Sequence, residues 1–139
     1  SNADPQALVV ATAASQAVMQ LGMPEARIIL AQAATYVACA PKSNSAIMAI
    51  DGAMEFVKAH PDYKIPSYLQ DAHYKGAAKL GHGIGYKYAH DYKNHYARQQ
   101  YLPDACKDNH FYNLSDQGYE KELQEHLTRI RRESEEDND

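Results

Sequence analysis

Between Leu80 and Tyr96 the sequence reads LGHGIGYKYAHDYKNHY. Glycines stand at 81, 83 and 85, histidines at 82, 90 and 95, tyrosines at 86, 88, 92 and 96, and lysines at 87 and 93. Residues of these types can cradle a phosphate, ligate a metal, activate a nucleophile or hold a nucleic-acid strand. A dinucleotide fingerprint needs G-x-G-x-x-G between a strand and a helix, and a P-loop needs Gly-Lys-Ser/Thr. The run offers only G-x-G-x-G, and Gly-Lys-Ser/Thr occurs nowhere in the chain. Gly81, Gly83 and Gly85 therefore read as a structural turn, with Gly81 closing a helix in the left-handed conformation. The three histidines, with Asp91, lack the i,i+4 or C-x-x-C spacings of a zinc site. Cys106 and His110 are close in sequence, but nothing beside them activates a thiol. No catalytic, cofactor-binding or metal-ligating residue is assigned.

The fourth chemistry fits better. From Tyr63 to Leu102, six basic residues (Lys64, Lys75, Lys79, Lys87, Lys93 and Arg98) face two acids, a formal +4 within a chain of net charge −4. Lysines interleaved with tyrosines suit a single strand, because cations neutralise phosphates while rings stack on bases. Lys75, Lys79, Tyr86, Lys87, Tyr88, Lys93 and Arg98 are the candidate contacts, to DNA or to a neighbouring subunit. The competing expectation is that the tyrosines form the core of their own loop.

The elements that position this run are helical. Asp4 and Pro5 open QALVVATAASQAVMQL, which stops at Gly22. Pro24 opens EARIILAQAATYVACA, which ends before Pro41 and carries a stripe of Ile29, Ala33, Tyr36, Val37 and Ala40. Ser43 or Asn44 caps SAIMAIDGAMEFVKA, with Ile47, Ile50, Met54 and Val57 on one face, and Pro61 ends it. Leu69, Ala72, His73, Gly76 and Leu80 predict a fourth helix from Pro66 to Leu80, with Asp71 and Lys75 paired along it. Residues 81–115 hold no period beyond one helical turn in QQYLPDAC. Ser115 or Asp116 caps a last helix striped by Tyr119, Leu123, Leu127 and Ile130. No β-period is found, so the class is all-α, with a long irregular Tyr/Gly-rich arm before the last helix.

The 139 residues suit one domain, and the mean hydropathy of −0.61 without a long apolar run predicts no membrane span. No secretory leader is read. Cys39 and Cys106 match no redox or metal spacing and read as free thiols. Ser1–Ala3 reads as a remnant of tag cleavage. The domain then spans 4–132, and residues 133–139 form an acidic tail expected to be disordered. An opening at Asp4 without Met leads us to expect a piece of a longer protein.

The words APKSNSAIMAID, DAHYKGAAKLGHGIGYKYAHDY and QQYLPD resemble the C-terminal part of the replication-associated recombination protein A family. These are AAA+ ATPases related to clamp loaders and similar to Werner-helicase-interacting proteins. The resemblance runs from Asp4 to about Arg132. It implies a clamp-loader-type C-terminal module for self-assembly into a homotetramer. It further implies a parent that uses ATP and Mg and acts with DNA and fork proteins at stalled replication forks. A bacterial cytoplasmic, nucleoid-associated location is implied as well. The Walker motifs lie outside this chain, so no enzyme activity and no cofactor are expected of it. In one respect the sequence departs from the family: a glycine-rich turn often follows the HDY word, and here Lys93, Asn94, His95 and Tyr96 stand there.

Overall fold

The computed structural model describes residues 1–71, 73 and 75–136. Among them are four α-helices and no strand: α1 (Gln6–Leu21), α2 (Ala26–Cys39), α3 (Ser45–Ala59) and α4 (Tyr119–Glu136), with five short 3-10 turns between α3 and α4. The all-α class holds. The chain divides into one unit of residues 1–51 and 112–126 and another of 52–111 and 127–139.

In the first unit, α1 packs on α2. Asp4 starts α1 by accepting the Gln6 N–H on Oδ1 at 3.0 Å. Its Oδ2 accepts the Tyr36 hydroxyl at 3.0 Å, which ties the start of α1 to α2. Gly22, at φ +67 with an extended ψ of −176, ends α1 in a conformation open to glycine that is not the left-handed helical cap. Small side chains face the seam, Ala14 and Ala17 on α1 and Ala33 on α2, so large apolar residues are left on the outer surfaces. Ser43 starts α3 by accepting the Ser45 N–H at 3.1 Å. Ala3 is packed as well: it is buried, and its carbonyl accepts the Tyr119 N–H at 2.8 Å.

The second unit holds the arm. Phe56 anchors it, stacked on His60 at 4.1 Å and edge-on to Phe111 at 5.9 Å. Ala77, Ala97, Cys106 and Ile130 are buried. The Tyr68 hydroxyl bonds the Gln100 carbonyl, and the Tyr101 hydroxyl donates to the Ala97 carbonyl at 2.9 Å.

The fourth helix expected over Pro66–Leu80 does not form. Among the described residues of that segment the helical elements are 3-10 turns at Ser67–Leu69 and Ala77–Leu80; Gln70 is extended and Gly76 sits at φ +100. Instead of pairing with Lys75, Asp71 accepts the His73 backbone N–H at 2.9 Å on Oδ1, which also meets His73 Nδ1 at 2.7 Å. An Asx turn of this kind competes directly with helix formation. Ala72, part of the predicted stripe, lies outside the described residues. At the other end, α4 continues from Glu133 to Glu136, where the sequence reading begins a tail.

The orientation of α3 also departs from the simple pattern. Ile47, Ile50, Met54 and Val57 point to solvent, with Ile47 58% exposed. Its inward face is made of Ser45, Ala49, Gly52, Ala53 and Phe56. The outward residues step by three, four and three, the heptad spacing of a helix–helix seam.

Candidate functional site

The basic and aromatic candidates all lie in the second unit, and the fold sorts them. Lys87, Lys93 and Arg98 converge on one pocket of about 240 Å³, together with Asp91, Tyr92, Tyr96 and Ser134. Tyr86 lines a different pocket of about 300 Å³, with Tyr68, Leu69, Asp71 and Gly83. Lys75, Lys79 and Tyr88 are exposed and line neither pocket.

Local backbone chemistry builds the Lys–Tyr pocket. Short 3-10 turns at Ala89–Asp91 and Lys93–His95 reverse the chain. Asn94 and His95 adopt φ +56 and +52, in the left-handed region where Asn and His are enriched among non-glycine residues. The backbone turns here on residues other than glycine. Asn94 Nδ2 donates to Glu133 Oε2 at 2.8 Å, and Lys93 Nζ lies 3.8 Å from the same oxygen. Arg98 Nη1 lies 3.2 Å from Glu135 Oε1, and Lys87 Nζ donates to the Arg98 carbonyl at 3.2 Å. The Asn94 hydrogen bond, opposed by partial burial and aided by Lys93, holds the Glu133 carboxyl below its ordinary range. Sequence reasoning missed Tyr92 and Tyr96, whose type and spacing were visible. It also missed Glu133 and Glu135, which no local pattern connects to the arm.

The glycine turn is not a nucleotide cradle. Gly81, Gly83 and Gly85 take φ +74, +72 and +83, and the next element is a three-residue 3-10 turn rather than a helix whose N-terminus faces a phosphate. A Cβ added at Gly81 or Gly85 meets nothing within 4 Å, so these glycines serve the dihedral angle and not a close approach. No group of three or more His, Cys, Asp or Glu among the described residues can hold a metal ion.

One buried carboxylate requires a separate account. Glu120, in the first turn of α4, is 0% exposed. Its Oε1 accepts the Tyr112 hydroxyl at 2.7 Å; Oε2 accepts the Ser115 N–H at 2.8 Å and the Ser43 hydroxyl at 2.9 Å. Burial alone would push this carboxyl up. The hydrogen bonds from Ser115, Tyr112 and Ser43 outweigh that and hold it at about 2. A carboxylate that acidic is a poor proton acceptor at neutral pH, so Glu120 is a structural clasp joining α4, the 112–115 segment and the start of α3. Sequence reasoning missed it because Ser115 and Glu120 are five apart, outside the three-residue capping-box spacing.

Comparison with known proteins adds the family. A profile described as MgsA AAA+ ATPase C terminal matches residues 1–131. The chain is 49% identical over 110 residues to the replication-associated recombination protein A of Bacillus subtilis, covering 79% of this chain and 26% of that protein. It is 45% identical over 129 residues to an uncharacterized AAA domain-containing protein of Mycobacterium tuberculosis, covering 93% and 28%. To the ATPase WRNIP1 of Dictyostelium discoideum it is 36% identical over 111 residues, covering 79% and 13%. The chain thus spans little more than a quarter of the length of the bacterial relatives.

Proposed function

The chain belongs to the MgsA AAA+ ATPase C-terminal family, and from that premise we propose that it is the self-assembly module of a longer AAA+ ATPase. In this reading it forms a homotetramer, and the assembled parent acts on DNA at stalled replication forks in the bacterial cytoplasm, associated with the nucleoid. ATP and Mg act in the remainder of the parent, and this chain has no catalysis of its own.

The supporting observation is apolar surface. Met19 is 78% exposed on α1, Ile28 is 66% exposed on α2, and the Ile47–Ile50–Met54–Val57 stripe runs exposed along α3. Sedimentation of the 139-residue chain at micromolar concentration tests this, with an expected mass four times 15.5 kDa. Ile47→Asp with Ile50→Asp is expected to give protomers that remain helical. A monomeric wild-type chain would refute the reading.

A second reading is favoured by the convergence of Lys87, Lys93 and Arg98 with Tyr92 and Tyr96 in one pocket. In it the arm contacts single-stranded DNA, cations on phosphates and rings on bases. Reversing Lys87 and Lys93 to Glu is expected to weaken binding and flatten its salt dependence.

A further inference from the structure

The pocket that gathers the arm's cations also receives the acidic end of α4. Glu133 is held by Asn94 at 2.8 Å and faces Lys93; Glu135 faces Arg98 at 3.2 Å; Ser134, between them, lines the pocket. Resting on the reading that the arm contacts DNA, we infer that the end of α4 is a built-in competitor: Glu133 and Glu135 stand where strand phosphates would bind, and single-stranded DNA must displace them.

Three features of the geometry support this. Each acid is placed against a different cation of the same pocket. The placement of Glu133 depends on Asn94, which takes the left-handed conformation that Asn tolerates better than most residues and from there donates its side-chain amide to the carboxylate. The pairs are also open to solvent, with side-chain exposures of 54% and 24% for Lys93 and Glu133 and 59% and 62% for Arg98 and Glu135. Solvent-exposed pairs are weak and screened by salt, so a polyanion held at several points can replace them. Tyr92 and Tyr96 line the same pocket, and rings stack on bases only where the bases are unpaired, which favours a single strand over a duplex.

The test is fluorescence anisotropy of a labelled oligothymidylate titrated with the 139-residue chain and with Glu133→Gln/Glu135→Gln, across a salt series. Removing both acids from Lys93 and Arg98 is expected to steepen the log Kd against log salt slope by up to about 1.4 and to tighten binding by up to about tenfold at roughly 50 mM salt. Adding Lys93→Ala and Arg98→Ala to that variant is expected to abolish the gain. Should the double Gln variant fail to fold, Glu135→Gln alone leaves the Asn94–Glu133 bond in place and should give about half the slope change. Equal affinity and slope in wild type and variant would overturn the competitor while leaving DNA contact standing. A gain that survives the two alanines would also overturn it, since the effect would then be general charge. Absence of binding by every variant at low salt would overturn the DNA reading and this inference together.

Discussion

Replacing Glu120 by Gln keeps the shape of the side chain and removes its charge. Three donors converge on the wild-type carboxylate, from Tyr112, Ser115 and Ser43, at 2.7 to 2.9 Å. In the variant one oxygen becomes an NH₂ group, and at least one of those donors then faces another donor in a fully enclosed site. Loss of a charge-assisted hydrogen bond with a buried polar group left unmatched costs about 2–4 kcal/mol. The pH dependence carries a second signature. The folded carboxyl sits at about 2, below its ordinary 4.5. Its contribution is therefore complete above pH 4.5, falls as the pH drops from 4.5 towards 2, and is gone below that. Urea denaturation followed by circular dichroism, at fixed protomer concentration because association adds to apparent stability, should show wild type losing stability through that window. The Gln variant should be less stable at pH 7 and should show a shallower decline on acidification. A variant within 0.5 kcal/mol of wild type at pH 7, or one with the same pH slope, would refute the clasp; surface substitutions typically fall within about that range.

Gly118→Ala should be severely destabilising. Its φ is +51, and an added Cβ would lie 2.1 Å from the Ala3 carbonyl oxygen and 2.7 Å from Pro41 Cγ, so a loss of about 3 kcal/mol is expected in thermal unfolding. His95→Gly should act in the opposite direction, raising stability by about 0.5–1 kcal/mol, since glycine adopts φ +52 without the Cβ penalty. A drop in melting temperature would show that the His90–His95 ring contact, at 4.8 Å, outweighs the backbone term.

All four α-helices were legible from local signals. Gln6–Leu21 and Ser45–Ala59 begin and end where Asp4, Gly22 and Ser43 place them, because caps and breakers act within a few residues. The turn in QQYLPDAC was equally local. The expected helix from Pro66 to Leu80 failed, since an apolar period cannot reveal that Asp71 will bond the His73 N–H or that Gly76 will turn left-handed. Residue types also announced the arm's cations and tyrosines, but not which of them meet. Long-range packing brings Lys87, Lys93 and Arg98 to one pocket and leaves Lys75 and Lys79 outside it. It alone placed Glu133 and Glu135 across from them and enclosed Glu120 among three donors. The α3 stripe shows the same division: its period was legible, yet its direction was not, because periodicity fixes which residues share a face but not which face the rest of the chain covers.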